Sequence, residues 1–418
     1  MPLTAAALRA PGLVRATLTL LAGGALAQAV PLLLGPLLTR LYAPEEFGVY
    51  HLFAAVAANL GVVACARYEF ALPLEQAGEQ AAALRALCIW ILLAACLLSA
   101  LGAGAWAAAE HALWPLWLPL AVAAAGAVSL ATLDATRAQR YRSLAAARVA
   151  QYGGAATGQL AAGAAGAGVG GLIAAPIVAA LAATAVLRMP WRGWWQVPAQ
   201  RLRAMAGAHR QFPLLNTPHA FAGALQDTAA VALIAAWQGP AAAGFWGLAL
   251  RYLKAPATLV GGAVSQALYP KLALSGDRPT AVSRAATVRV MATLAAIALP
   301  IVLLLVAFGP WAFERAFGAQ WREAGELARA LAPYIGVHFV AAPLAVVTMA
   351  WKAQAWALRL ALVGQTLFVV ALAFGLSHGG LATAGWTVSL AMAFYFGWYF
   401  WKLATWPVEG PSAPEAAA

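Results

Sequence analysis

The sequence predicts an all-α polytopic membrane protein, with about twelve transmembrane helices in two pseudo-symmetric six-helix bundles and both termini cytoplasmic. Three observations carry this expectation. The 418-residue chain is 63% hydrophobic and 10% charged, with a mean hydropathy of +0.77, whereas soluble domains carry about 25% charged residues. Its apolar runs recur at the roughly 20-residue length that a helix needs to cross the hydrocarbon core. Finally, PEEFGVYHL from Pro44 is echoed by PAAAGFWGL from Pro240, so that Pro44, Gly48, Tyr50 and Leu52 answer to Pro240, Gly244, Trp246 and Leu248, each 196 positions on. An echo at half the chain length suggests one hairpin used twice, as in carriers built from two structural repeats.

The first apolar run follows Arg9 and Arg15, and Ala25-Leu26-Ala27 has the look of a signal-peptidase site. A cleaved signal has an apolar core of only about 7 to 15 residues. Here the run continues past Pro31 to Leu38, which predicts an uncleaved first span. The twelve expected spans cover 13–38, 47–72, 83–108, 114–134, 149–168, 171–188, 213–236, 243–268, 289–308, 328–350, 357–376 and 381–402. With the N-terminus inside, 19 of the 26 Lys and Arg residues fall on cytoplasmic segments and four (Arg40, Arg315, Arg322 and Arg329) fall outside. Cytoplasmic loops are where such residues concentrate. The net charge of +12 is therefore read as topology, not as a nucleic-acid footprint.

Four segments follow: an N-terminal bundle (1–190), a cytoplasmic linker (191–212), a C-terminal bundle (213–406) and a disordered tail (407–418). The linker region is rich in Arg, Trp and Pro, and Trp191, Trp194 and Trp195 beside Arg192 suit a membrane interface. The longest outer loop, from Gly309 to about Leu327, is too small for a soluble catalytic domain. In AGAAGAGVGG at the end of span five, Gly166 and Gly170 are small enough for close helix approach; a bias towards Ala and Gly accounts for them equally well. Cys65, Cys88 and Cys96 lie inside apolar runs without ligand spacing and read as packing residues.

Charges within spans are costly and usually face a bundle interior or a water-filled cavity. Span eight carries Arg251 and Lys254, three residues apart and so on one helix face, continued by Thr258 and Ser265. At 1.5 Å per residue Lys254 lies roughly 16 Å below the outer end, near the midplane. Span seven carries Asn216, His219, Gly223, Gln226 and Asp227. These two stripes predict a hydrated cavity with Arg251, Lys254, Asn216, His219, Asp227 and Thr258 as substrate-binding residues. Asp227 is also the candidate coupling-ion site. An Asp227–Arg251 pair that only fixes helix register is the structural alternative. Arg67 and Glu69, near the inner end of span two, would line the cytoplasmic mouth or snorkel to the headgroups. Tyr334 and His338, four apart, read as a packing contact. No nucleotide-binding loop, metal-ligand cluster or nucleophile constellation appears, so no catalytic residue, metal or cofactor is expected.

The first hairpin, PLLLGPLLTRLYAPEEFGVYHLFAAVAANLGVVACARYEFALPL, resembles the opening of the Wzx-type oligosaccharide flippases. These are polysaccharide biosynthesis membrane proteins of the superfamily that includes the MATE drug exporters and the lipid II flippases. The likeness rests on T-R-L-Y-x-P-E-x-F-G-x-Y and the following A-R-Y-E. It extends to GPAAAGFWGLALRYLKAPATLVGGAVSQALYPKLA and to FGAQWREAGELARALAP from Phe317. It implies translocation of an undecaprenyl-pyrophosphate-linked oligosaccharide from the cytoplasmic to the periplasmic leaflet of the bacterial inner membrane, by alternating access, for O-antigen, capsule or exopolysaccharide. It also implies a polysaccharide polymerase and a chain-length regulator as partners, and cationic lumen residues for anionic groups, a role that Arg251 and Lys254 fit. Two alternatives stay open. A MATE-like cation-coupled multidrug exporter predicts an acidic cavity, and a membrane glycosyltransferase or polymerase predicts a site in the outer loop among Glu314, Arg315, Arg322 and Glu323.

Overall fold

A computed structural model describes residues 11–273 and 279–408, which form α-helices joined by short 3-10 and π-helical turns. No strand occurs among these described residues. They group into two compact units, 1–231 and 232–418. The tail from Glu409 onward lies outside the described residues.

The first unit contains α1 (Pro11–Leu41), α2 (Pro44–Val63), α3 (Gly78–Glu110), α4 (Leu118–Arg137), α5 (Tyr141–Arg148), α6 (Gly154–Ala164), α7 (Gly168–Leu187) and α8 (Ala199–Ala208), and the start of α9 (Thr217–Gln238). Its core runs from Phe53 through Leu84, Val122 and Leu130 to Ile173 and Leu187, all of them buried. The expected fifth span is a continuous rod in which a π-helical turn, Val149–Gly153, links α5 to α6.

The TRLYAPEEFG motif is the device that starts α2. Pro44 occupies the first helical turn, where its missing N–H costs nothing. Glu45 and Glu46 sit in that turn and complement the positive end of the helix dipole. Glu46 Oε2 accepts a hydrogen bond from the Ala43 amide at 2.8 Å. Tyr42 donates its hydroxyl to the Gln159 carbonyl at 2.7 Å and meets buried Phe47 edge-on at 6.0 Å. Pro240 likewise opens its helix, so the two echoed prolines do the same local work.

The glycine run after α6 works differently from the sequence expectation. Nothing lies within 4 Å of a Cβ built on Gly166 or Gly170. The close approaches are at Gly163, whose Cβ would fall 2.6 Å from the Tyr42 ring, and at Gly171, 2.6 Å from Ala162 and 3.2 Å from the Tyr42 hydroxyl oxygen. Gly166 is instead a turn residue with φ +72°, a conformation that glycine adopts without steric penalty.

Span two is shorter than expected. α2 ends at Val63, and Ala66 and Arg67 take left-handed backbone angles before a 3-10 turn over Tyr68–Leu74. The linker packs on the first unit. Trp194 packs edge-on against Trp90 at 4.9 Å, α8 lies along α3, and Tyr68 donates its hydroxyl to the Ala206 carbonyl at 3.2 Å.

The second unit contains the end of α9, then α10 (Pro240–Ala273), α11 (Ala281–Phe317), α12 (Arg322–Ala341), α13 (Ala345–Ala350) and α14 (Gln354–Ala404). The expected outer loop at 309–327 is mostly helix. α11 runs through Pro310 to Phe317 and turns at Gly318 directly into α12. Buried membrane helices tolerate such prolines because their neighbours re-satisfy the backbone. Here Gly309 and Gly325 bring α11 and α12 together, with a Cβ on Gly325 falling 2.5 Å from Pro310 Cα. The 51-residue α14 is broken at Gly379–Gly380, where Gly380 has φ +82°. Its arms fold back on each other, and Thr387 Oγ1 donates to the Ala371 carbonyl at 2.8 Å.

Among the described residues, nine helices are long and apolar enough to cross a membrane, counting the broken α14 once. Leu97, Leu101, Leu303, Leu304 and Phe394 are each more than half exposed. This is the outward apolar coat of a multi-pass membrane protein.

Candidate functional site

α10 positions the cationic stripe. Its buried side chains, among them Ala242, Trp246, Ala249, Leu253 and Ala257, recur at helical spacing and define one face. Arg251 and Lys254 are half-buried and Thr258 and Gly262 exposed; at 100° per residue Arg251, Thr258 and Gly262 fall away from that face, and Lys254 at its edge. Thr258 Oγ1 is partly used, donating to the Lys254 carbonyl at 2.8 Å. Farther along α10, half-buried Ser265 donates to the Pro343 carbonyl at 3.1 Å. Two cations one helical turn apart, about 5–6 Å between Cβ atoms, can hold a multiply charged anion that neither would hold alone.

α9 opens from a π-helical turn, Phe212–Asn216, that ends at the exposed Asn216. Such turns recur at functional sites. Asp227 is exposed on α9, while the side chain of His219 lies outside the described set. Next to Asp227, Thr228 turns inward and donates to the Ala55 carbonyl of α2 at 3.1 Å. The Asn59 amide of α2 reaches Thr228 Oγ1 at 3.5 Å. Asn59 is 4% exposed, so this polar pair fastens α2 to α9 within the first unit. Asn216 and Asp227 belong to that unit, whereas Arg251, Lys254 and Thr258 belong to the second. In α12, Tyr334 and His338 lie with ring centroids 5.7 Å apart, the packing contact expected.

Arg67 and Glu69 are placed by the broken end of α2. Glu69 is enclosed, at 2% exposure. Ser129 of α4 donates to its Oε1 at 3.5 Å, and Oε2 has no hydrogen-bond partner among the described residues. Burial pushes its carboxyl above the ordinary carboxylate range, against the opposing pull of its own backbone amide, the Arg67 charge and Ser129. The Arg67 guanidinium stacks over the Phe70 ring at 4.3 Å from its centroid and does not pair with Glu69.

Sequence reasoning missed one charged centre. Asp134, in the last turn of α4, is 5% exposed. Its two oxygens accept from Arg85 of α3 at 2.7 Å and from Arg140 at 2.9 Å. Arg140 also donates to the carbonyls of Leu187 and Arg188 at the end of α7. The signal in the sequence was an acid closing an apolar helix just ahead of the basic Arg137–Arg142 run. Beside this centre, His209 at the end of the linker meets Glu75 at 2.7 Å. Arg137 donates to the carbonyls of Glu75 and Gln76 at 2.8 and 3.0 Å. Among the described residues, no cluster of His, Cys, Asp or Glu could hold a metal ion.

Two helical units, an apolar coat and polar stripes on long helices define a multi-pass membrane protein with a transporter-like architecture. Solved structures share it. The chain is similar to an inward-facing multidrug resistance MATE family transporter of the MOP superfamily, with TM-score 0.64, 12% identity, and coverage of 90% of this chain and 95% of that one. It is similar to the lipid II flippase MurJ in an inward closed conformation, with TM-score 0.67, 10% identity, and coverage of 90% and 88%. It is also similar to a MOP superfamily transporter from Pyrococcus furiosus, with TM-score 0.55, 12% identity, and coverage of 93% and 95%. A family profile described as "Polysaccharide biosynthesis protein" matches residues 37–326, and the chain belongs to that family. A comparison with curated proteins finds no match.

Proposed function

We propose that the protein is a flippase that moves an undecaprenyl-pyrophosphate-linked oligosaccharide from the cytoplasmic to the periplasmic leaflet of a bacterial inner membrane. In this reading twelve spans form two six-helix bundles, residues 1–190 and 213–406, joined by the cytoplasmic linker 191–212, with both termini inside. The observation that carries the proposal is a pair of cations on α10. Arg251 and Lys254 lie one turn apart and half-buried, well inside a 34-residue helix. A pyrophosphate cannot enter a low-dielectric membrane interior without charge compensation, and two cations one turn apart supply it. Membership of a polysaccharide biosynthesis family supports a saccharide-bearing cargo. Asn216, His219 and Thr258 would complete the sugar-facing surface, and Asp227 is a candidate coupling site. The alternate opening of the two halves would carry the head group across while the prenyl chain stays in lipid.

The test is charge removal. Arg251→Ala and Lys254→Ala, at normal membrane levels, are each expected to lower export of surface glycan and to leave lipid-linked repeat units at the inner leaflet. Undiminished export in both variants sinks the cationic-patch reading. A second reading, a cation-coupled exporter of amphipathic drugs, draws on the fold shared with MATE transporters. Deleting the gene separates the two: altered drug tolerance with unchanged glycan selects the exporter, and loss of glycan selects the flippase. Repeat units that reach the outer leaflet but stay unpolymerised would select a polymerase instead.

A further inference from the structure

The turn that joins α2 to α3 holds an acid and a base two residues apart that do not meet. Glu69 is enclosed by α3 and α4, its Oε2 has no hydrogen-bond partner among the described residues, and it forms no ion pair. Arg67 is half-buried with its Nε likewise unpartnered, and its guanidinium is parked on Phe70. The backbone between α2 and this turn is strained, because Ala66 and Arg67, neither of them glycine, have φ of 47° and 62°. Consecutive left-handed non-glycine residues persist only where their surroundings hold them, and such sites cluster at switches.

The charges around Glu69 are accounted for. On α3, Arg85 is taken up by Asp134 of α4 at 2.7 Å, and the thiols of Cys65 and Cys88 are buried close by. On α4 the group that reaches the carboxyl is Ser129. Tyr68 points its hydroxyl at Ala206 of α8, and the π-helical turn Phe212–Asn216 packed on this segment carries no titratable side chain. A carboxylate enclosed here without a cation in contact would be costly, so the arrangement suits the neutral acid.

We propose that Glu69 is a proton-binding site and that Arg67 is its switch partner, so that loss of the proton draws the guanidinium from Phe70 onto the carboxylate and reshapes the turn 64–74. The proton passes from the Glu69 carboxyl to a cytoplasmic water, leaving a carboxylate and a hydronium ion, and the reverse step reloads the site. The consequence reaches beyond the turn, which touches α8 through Tyr68 and Ala206 and packs on the π-helical start of α9. Taken with the flippase reading, on which this part rests, the site names the coupling ion as a proton and places it at Glu69 in addition to the Asp227 candidate.

The experiment uses the purified full-length protein in phospholipid nanodiscs, with protons as the probe. Infrared difference spectra are taken between wild type and Glu69→Gln, and hydrogen exchange is followed over 64–74 across the same pH series. A protonated-carboxyl carbonyl band is expected in wild type towards the acid end of the series, persisting to higher pH than for an exposed glutamate. It should be absent from E69Q and should be lost on alkalinisation together with a change in exchange over 64–74. In Arg67→Gln the band should persist to higher pH, because the cation that stabilises the ionised form is gone; a purely structural Arg67 would not move that midpoint. A band that titrates no higher than that of an exposed glutamate, or no difference band at any pH, overturns the site, and a titration that leaves exchange over 64–74 unchanged overturns the switch. Glycan export in E69Q tests the coupling: loss at normal membrane levels supports it, and wild-type export overturns it. Neither infrared nor exchange depends on the cargo, and R251A and K254A test the flippase without touching Glu69, so the two failures are distinguishable.

Discussion

Replacing Asp134 by alanine should destabilise the first unit. The carboxylate is 6% exposed at its side chain and accepts from two arginines, Arg85 and Arg140, whose side chains are 17% and 30% exposed. Truncating one partner of a buried ion pair typically costs about 3–5 kcal/mol, because the other charge stays buried and uncompensated. Arg140 retains the Leu187 carbonyl and is the more exposed of the two, which places the cost near the lower end, about 3 kcal/mol. Arg85 has no other hydrogen-bond partner among the described residues and carries most of the penalty. For a unit of this size, a loss of that magnitude corresponds to a fall of about 6 to 12 °C in melting midpoint. The assay is a fluorescent-protein fusion heated in mild detergent and scored by the monodisperse fraction on size exclusion. Asp134→Asn keeps the volume and one acceptor and should fall between wild type and Asp134→Ala. Adding Arg85→Ala to Asp134→Ala should cost less than the two changes summed, because the orphaned charge is then removed. A midpoint for D134A within about 2 °C of wild type would show that the charges find water or headgroup partners and would refute the reasoning.

Three further outcomes follow from the structure. Gly171→Val should destabilise by about 1–3 kcal/mol through overpacking, since its Cβ meets Ala162 at 2.6 Å and the Tyr42 hydroxyl at 3.2 Å; Gly170→Val, in open space, is the control in the same heating assay. Glu75→Ala removes the 2.7 Å contact with His209 and should expose the linker, read as faster tryptic cleavage after Arg201 and Arg203. The third concerns pH. Burial raises the Glu69 carboxyl, so between the unfolded value of about 4.3 and the raised folded value the native state binds more protons than the unfolded one. Stability should therefore fall as pH climbs through that window. E69Q, which cannot ionise, should flatten that slope and match or exceed wild type on the alkaline side; an unchanged slope in E69Q would assign the pH dependence elsewhere.

Much of the fold was legible in the chain because membrane insertion is governed by composition and length. Sustained apolar runs and sparse charges mark a multi-pass helical protein. The Pro44 and Pro240 echo marked two helix starts because a proline at the first helical position acts locally. That Arg251, Lys254 and Thr258 lie as neighbours on one helix was legible for the same reason, since residues three and four apart sit one above the other. What sequence could not supply was anything set by the approach of distant segments. Gly163 and Gly171 matter because Tyr42 stands over them and Gly166 because of its positive φ, whereas Gly170 stands in open space, though all four look alike in the chain. Asp134 reads as an ordinary helix-end acid until α3 and the α7 terminus deliver Arg85 and two carbonyls to the same point. Glu69 reads as a residue at an open mouth until the helix break at Ala66–Arg67 folds it between α3 and α4. Composition and length determined that the chain is a multi-pass helical protein; tertiary structure decided where helices break, which glycines are closely packed and which carboxyls are paired, because these depend on groups far apart in the chain meeting at one place.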